Sequence, residues 1–264
     1  MSRYALPILA LMLAIVAVPA LAGDLSVDLP GTDIMTLVHD RPDGDDRSSV
    51  IIMTLLNKRG SKRVREVKSY SKDFGKDKQS IMVFLEPADV RKTAYLSWEY
   101  DEPGREDDKW LYMPAMRKTR RISGASRNEY FMGTDFTYDD MGKRRVDEDT
   151  HRLLGEESVD GLDCWKVECV PVDSEDMYTR RVVWVRKDAC VVIKAEYYDK
   201  DGLLKIFRVL DVRNQDGIWT VFRSEMENVV REHRTVMETT TIAYDTGLED
   251  SLFRVATIER GWMQ

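Results

Sequence analysis

Little in this chain is equipped for chemistry. Its 264 residues include three histidines, His39, His151 and His233, on separate stretches and without ligand-like spacing. Packing or surface roles outweigh a metal site for such scattered histidines. The three cysteines, Cys164, Cys169 and Cys190, form no Cys-x-x-Cys pair and fit no zinc or redox spacing. No glycine-rich loop is present to cradle a phosphate. Ser123-Gly124-Ala125-Ser126 is not the Gly-x-Ser-x-Gly elbow of hydrolases. Asp139 and Asp140 are adjacent, so they diverge on a helix or a strand and make a poor acid–base pair; a place at the positive start of a helix suits them better. Enzymatic function is unsupported, and neither a cofactor nor a metal is expected. Positive charge is also short, with 40 Lys and Arg against 47 Asp and Glu, which argues against nucleic acid as a partner.

Beyond the first residues there is no long apolar run. Met1-Ser2-Arg3, the apolar stretch Tyr4 to Val18, and Pro19-Ala20-Leu21-Ala22 read as a cleaved export signal with an Ala-x-Ala site. The stretch is shorter than the ~20 apolar residues that a bilayer span takes, and no cysteine follows it as in a lipid-anchored lipoprotein. Cleavage after Ala22 would leave residues 23–264 as one soluble domain, large enough to bury a core without staples. In an oxidising compartment one cysteine pair can join. Cys164 and Cys190 fall on successive predicted strands where they can face each other, so a Cys164–Cys190 disulfide is expected, with Cys169 a buried thiol.

What remains is a β pattern. Ile34, Leu37 and Val38, after Gly31-Thr32-Asp33, predict a short amphipathic helix that Pro42 and the Asp43-Gly44-Asp45-Asp46 cluster end. Val50 to Leu56 reads as a strand covered on both faces. Strands follow at Arg63–Ser71, Ser80–Leu85, Thr93–Tyr100 and Lys109–Met113, and then, in the second half, from Leu162 to Tyr244. Asp199-Lys200-Asp201-Gly202 and Asn214-Gln215-Asp216-Gly217 are hairpin turns. Regular spacing of this kind predicts an antiparallel meander, closed or half closed. Between the halves, Thr137 with Asp140 three residues on resembles a capping box, and Thr137 to Arg152 predicts one or two short helices.

The segment from Trp110 to Met141 stands apart. Two aromatic and methionine-rich patches, Trp110-Leu111-Tyr112-Met113-Pro114-Ala115-Met116 and Phe131-Met132-Gly133-Thr134-Asp135-Phe136-Thr137-Tyr138-Asp139-Asp140-Met141, flank the basic strand Arg117 to Ile122. Methionine adapts to irregular apolar partners, and an apolar loop with a glycine hinge is unusual away from a binding surface. For Trp110 or Tyr112 alone, ordinary core packing is the simpler reading. An arginine of the basic strand that faces inward needs a carboxylate, with Asp135, Asp139 and Asp140 as candidates, or else meets the acidic head group of a lipid. Arg117 and Lys118 also fit a solvated face.

At these residues the chain resembles the outer-membrane lipoprotein-sorting (LolA-like) proteins of Gram-negative bacteria. The resemblance rests on Trp-Leu-Tyr-x-Pro-Ala-x-Arg-Lys-x-Arg-Arg-Ile at 110–122 and Phe-Met-Gly-Thr-Asp-Phe-x-Tyr-x-Asp-Met at 131–141. Phe84 to Arg91, Glu196 to Gly202 and Asp216 to Thr220 support it, so that it runs in order along nearly the whole mature chain. It implies a mainly β fold with short helices: an incomplete antiparallel β-barrel of LolA/LolB type, with a helical lid over an apolar cavity. It implies a monomeric periplasmic carrier for lipid or acylated lipoprotein, a chaperone for acyl chains in outer-membrane biogenesis that touches membranes transiently. Trp98, Trp110, Met113, Met116, Phe131, Met132, Phe136, Tyr138 and Met141 are the residues expected to line or cover the cavity, with Arg121 as polar latch or head-group contact. Some relatives resemble partners of resistance-nodulation-division exporters, so the alternative is a periplasmic adaptor that binds no ligand. A lipid-processing enzyme is the third reading, to be recognised by a His or Cys beside a carboxylate in the cavity.

Overall fold

A computed structural model describes residues 29–260, and the export signal expected at residues 1–22 lies outside the described residues. The first half contributes six strands: β1 (Asp46–Leu56), β2 (Lys62–Phe74), β3 (Asp77–Glu86), β4 (Ala94–Glu99), β5 (Asp108–Met113) and β6 (Lys118–Ile122). The second half contributes seven: β7 (Asp149–Val159), β8 (Leu162–Pro171), β9 (Arg180–Arg186), β10 (Val191–Asp199), β11 (Gly202–Gln215), β12 (Ile218–Asn228) and β13 (His233–Tyr244). All belong to one curved, unclosed 13-stranded sheet in the order β6-β5-β4-β3-β2-β1-β13-β12-β11-β10-β9-β8-β7. The chain therefore lays down one half outward from β1, crosses over, and returns strand by strand until β13 pairs with β1. The sheet's two free edges, β6 and β7, are joined by residues 123–148.

Local chemistry explains the hairpins. Asp160-Gly161 and Asp216-Gly217 both carry positive φ at both residues, the geometry whose twist matches two right-twisted antiparallel strands and which Gly adopts without a Cβ clash. The expected incomplete β-barrel architecture is the one observed. Two readings are corrected. β7 begins inside the segment predicted to be helical, at Asp149 to Arg152, and runs on through residues for which the sequence predicts no element; only a 3-10 turn at Val146–Glu148 precedes it. Its alternation is faint because β7 is an edge strand with a largely polar exposed side and a register shift at Leu153/Gly155. On β1, Val50 and Ile52 are only half-buried, and the strand's fully buried apolar residues, Met53 and Leu55, lie on its inner side.

Side chains alternate across the sheet, and this parity divides the core. Inward, Met53, Val67, Phe84, Tyr95 and Leu111 form one cluster and Trp165, Val167, Val183, Val185 and Ala195 another. Outward, Tyr70, Ile81, Leu96 and Tyr112 pack against Phe253 and Ile258 of the C-terminal segment, which holds the short helix α2 (Val255–Glu259). The predicted N-terminal helix is present as α1 (Gly31–His39) and lies against β7 and β8. A Cβ on Gly31 would stand 2.8 Å from the Leu153 backbone nitrogen, so only glycine lets the helix approach this closely. Ile34 is its buried residue, Met35 and Val38 are half-buried, and Leu37 is exposed.

The expected disulfide is absent: Cys164, Cys169 and Cys190 are all free. Cys164 lies opposite Arg186 in the β8–β9 ladder, whereas Cys190 sits in the turn beyond β9 with a positive φ. Their sulfurs turn to different carbonyls, those of Leu162 and Lys187. Protein purified without reductant and then denatured is expected to titrate three thiols; a titre of one would show that a bridge forms after all.

Candidate functional site

The segment joining the free edges acts first as a plug. It runs through 3-10 turns at Gly124–Asn128 and Phe131–Gly133. Phe131 is fully buried and packs edge-on against Tyr95 and Tyr138, with ring centroids 5.2 and 5.5 Å away, and near Phe84 at 6.0 Å. Met113, Met132, Tyr138 and Met141 join the same inward cluster. Met132 has a left-handed backbone (φ 48°), and its carbonyl accepts a hydrogen bond from buried Arg65 at 2.6 Å. Thr137 and Asp140 form the reciprocal bonds of a capping box, 2.8 and 3.0 Å, but a turn follows in place of the predicted helix.

Charges then fix this plug to both halves of the sheet. Asp135, fully buried, takes hydrogen bonds from Thr235 (2.6 Å) and His233 (2.7 Å) on β13. Asp140 meets the buried Lys205 of β11 at 3.0 Å and the Tyr178 hydroxyl at 2.9 Å, and Lys205 also donates to Tyr178 at 2.7 Å. Burial pushes the Lys205 ammonium down, with Asp140 opposing, and drives the Tyr178 phenol well up. Arg144 contacts Asp149 at 2.7 Å and Asp176 at 3.0 Å, while Asp149 also holds Arg181 at 2.7 Å. On the other side Lys109 of β5 reaches Asp107 and Asp139.

Between the plug, α1 and the inner face lies a cavity of ≈ 520 Å³, within the size range of small-molecule sites. Its walls differ. Ser69, Ser71, Lys78 and Ser80 line it from the first half, whereas Met35, Val38, Val183, Val192, Ala195 and Phe207 line it from α1 and the second half. Met82, Phe136 and Met141 complete the apolar side, Phe136 edge-on to Phe207 at 6.4 Å. The expected apolar cavity is thus two-faced, because the apolar end of the first half's inner face is filled by Phe131 and its neighbours.

Of the ten candidate residues, six come together here: Met113, Phe131, Met132 and Tyr138 in the plug cluster, and Phe136 and Met141 on the cavity. The other four do not. Trp98 and Trp110 face outward, edge to face at 4.9 Å, and Trp98 donates to the Phe253 carbonyl at 2.8 Å. Strand parity puts Trp110 and Met113, three residues apart, on opposite faces, so both could not have lined one cavity. Met116 is 55% exposed at a corner. Arg121, opposite outward Trp110 in the ladder, is an exposed partner of Asp108 and does not reach Asp135, Asp139 or Asp140. Lys205, Lys109, Arg144 and His233 take that role. Sequence reasoning missed Met35, Met82, Arg41 and Phe207. The i, i+3 spacing of Met35 and Val38 was legible, but which stripe of a nine-residue helix turns inward was not.

Cys169 and His151, paired across β7 and β8, line the cavity beside Asp149, the arrangement by which an enzyme was to be recognised. Burial pushes the Cys169 thiol up to about 12, which holds it protonated, and the thiolate is the nucleophile. Asp149 is committed to Arg144 and Arg181. Among the described residues no group of three His, Cys, Asp or Glu is placed to hold a metal.

Comparison with known proteins agrees with this architecture. A family model described as "-like: Uncharacterized protein" matches residues 76–260. The structure of a DUF1329 family protein from Desulfovibrio piger is 38% identical, with a TM-score of 0.83 over 86% of this chain and 97% of that one. A putative outer membrane lipoprotein-sorting protein domain from Vibrio parahaemolyticus is 29% identical, with a TM-score of 0.82 over 87% of this chain and 98% of that one. A LolA superfamily protein from Nitrosomonas europaea, 22% identical over 86% of this chain and 99% of that one, shares the fold with a TM-score of 0.67. No curated protein matches.

Proposed function

This chain belongs to the DUF1329 family, and we propose that it is a periplasmic carrier that shields an acyl chain of a lipid or acylated lipoprotein in transit between membranes. The carrying observation is the cavity: ≈ 520 Å³ on the inner face of an unclosed sheet, with one wall of Met35, Val38, Met82, Met141 and Phe207. Burying an acyl chain gains ~0.8 kcal/mol per CH₂, so a methionine-lined wall holds one without any catalytic group. The protonated Cys169 thiol supports a non-enzymatic role. The likeness to a putative lipoprotein-sorting domain and the export signal support the periplasmic assignment. Release then requires lid opening or a partner, since a ligand shifts an equilibrium only by differential affinity.

One observation favours a second reading. The plug already fills the most apolar part of the inner face, as suits an adaptor that docks on a membrane exporter and carries nothing. Native mass spectrometry of mature protein isolated from periplasm without detergent, followed by organic extraction, separates the two. A carrier is expected to show a discrete lipid or acylated-peptide adduct that extraction removes. A clean apo mass, unchanged after incubation with envelope lipids, would overturn the carrier reading in favour of the adaptor.

A further inference from the structure

Among the described residues, three of the four cations at one end of the cavity have no carboxylate in contact. Arg41, Arg47, Lys78 and Lys143 all line it, and all four lie close enough to Asp43 to interact electrostatically. Asp43 is taken by Lys78, at 2.5 Å, and Lys78 also reaches Asp73 at 3.2 Å. Among the described residues Arg41, Arg47 and Lys143 make no ion pair within 4 Å. Arg41 donates one hydrogen bond, to the Trp219 carbonyl at 2.5 Å, and its buried Nε has no partner. Burial pushes this guanidinium below its ordinary range. Glu99 also lines the cavity and accepts the Lys143 backbone N–H at 3.1 Å. The mouth carries Asp40, Asp45 and Asp245, of which Asp40 pairs with His39 and Asp245 accepts the backbone N–H groups of residues 45 and 46. None of these carboxylates lies within 4 Å of the three cationic groups. A half-buried guanidinium such as that of Arg41 with no carboxylate in contact is costly.

Its position relative to the apolar wall supplies the meaning. Met35 and Val38 line the cavity from α1, and Arg41 follows two residues after that helix ends. An acyl chain lying along this side of α1 brings its polar end to Arg41. We infer that the cavity is built for an anionic amphiphile, its phosphate or carboxylate head held by Arg41, Arg47 and Lys143 and its tail lying on Met35, Val38, Met82 and Phe207. This rests on the carrier reading and narrows it, since an acylated peptide N-terminus presents no such anion. Guanidinium groups bind phosphate and carboxylate bidentately, and both Arg41 and Arg47 line this end of the cavity.

The test is calorimetric titration of delipidated mature protein with lysophosphatidylglycerol and with a monoacylglycerol of the same chain length, whose head group carries no anion, both below the concentration at which they aggregate. The anionic lipid is expected to bind at least about tenfold more tightly, the worth of one charged hydrogen bond. Arg41→Gln and, separately, Lys143→Gln are expected to bring the affinity for the anionic lipid down to that for the monoacylglycerol. Lys143 is exposed at the mouth, so its variant tests the idea even if loss of the Trp219 contact destabilises the other. Equal affinity for the two lipids would overturn the head-group inference and leave the carrier reading standing. Inorganic phosphate that binds alone and as tightly as the anionic lipid would assign the cluster to a free anion, overturning the amphiphile. Binding of neither lipid would sink both readings.

Discussion

Lys205→Met is expected to lower the midpoint of thermal unfolding by roughly 6–20 °C. The side chain is fully buried, its ammonium held by Asp140 at 3.0 Å and Tyr178 at 2.7 Å and set over the Tyr130 ring at 4.8 Å. Removing one partner of such a pair strands the other charge in a dry site, a cost of about 3–5 kcal/mol. For a domain of this size each kcal/mol moves the midpoint by about 2–4 °C. Replacing both partners is expected to cost less than replacing one, because Lys205→Met with Asp140→Asn leaves no unpaired charge. The single variant should also speed hydrogen exchange in residues 130–142 before it affects β2 to β4, since the pair ties that segment to β11. A variant that melts at the wild-type temperature with unchanged exchange would show that the pair latches nothing.

Phe131→Ala acts on the same segment through packing. The ring is fully buried among Phe84, Tyr95 and Tyr138, and its removal leaves a cavity that the curved sheet cannot close. The expected loss is about 3–5 kcal/mol, read by urea denaturation. An outcome within 1 kcal/mol of wild type would mean that the plug is not part of the core. Combined with Lys205→Met, it distinguishes two pictures of the segment. If the plug moves as one unit, the double variant loses less than the summed single effects, because the first change already frees what the second would release. Strict additivity would mean that the aromatic plug and the ionic latch hold the chain independently.

Parity and turns made most of the sheet readable. Twelve of the thirteen strands were signalled by alternation or by apolar runs bounded by Pro, Gly or acidic turn residues, all of them local features of the sequence. β7 was not, because an edge strand with one covered face and a bulge blurs its own pattern. The plug was legible as a peculiarity: an aromatic and methionine-rich loop around Gly133 has to be covered by something. Its location was not, since packing alone decides whether such a loop lines a hollow or fills one.

The charged residues divide in the same way. That an inward cation would need Asp135, Asp139 or Asp140 followed from the cost of burying charge, and these aspartates do anchor the segment. The side chains that meet them, His233, Lys109, Arg144 and Lys205, come from as far as 98 residues along the chain, a distance no local pattern spans. Arg121, the nearest candidate in sequence, lies on the outer face because it pairs opposite Trp110. Arg41 and Lys143, about a hundred residues apart, meet at one cavity only because β1 and β13 close the middle of the sheet while residues 123–148 cross between its edges. The sequence by itself determined an antiparallel meander, closed or half closed, and offered no recognisable catalytic motif, because period, turn chemistry and composition are local quantities; that the barrel stays incomplete came from the resemblance. Which face each side chain joins, which charges pair and which stay unpaired at the cavity were decided by the tertiary structure, because burial and ion pairing depend on what the curvature of the sheet brings within a few ångströms.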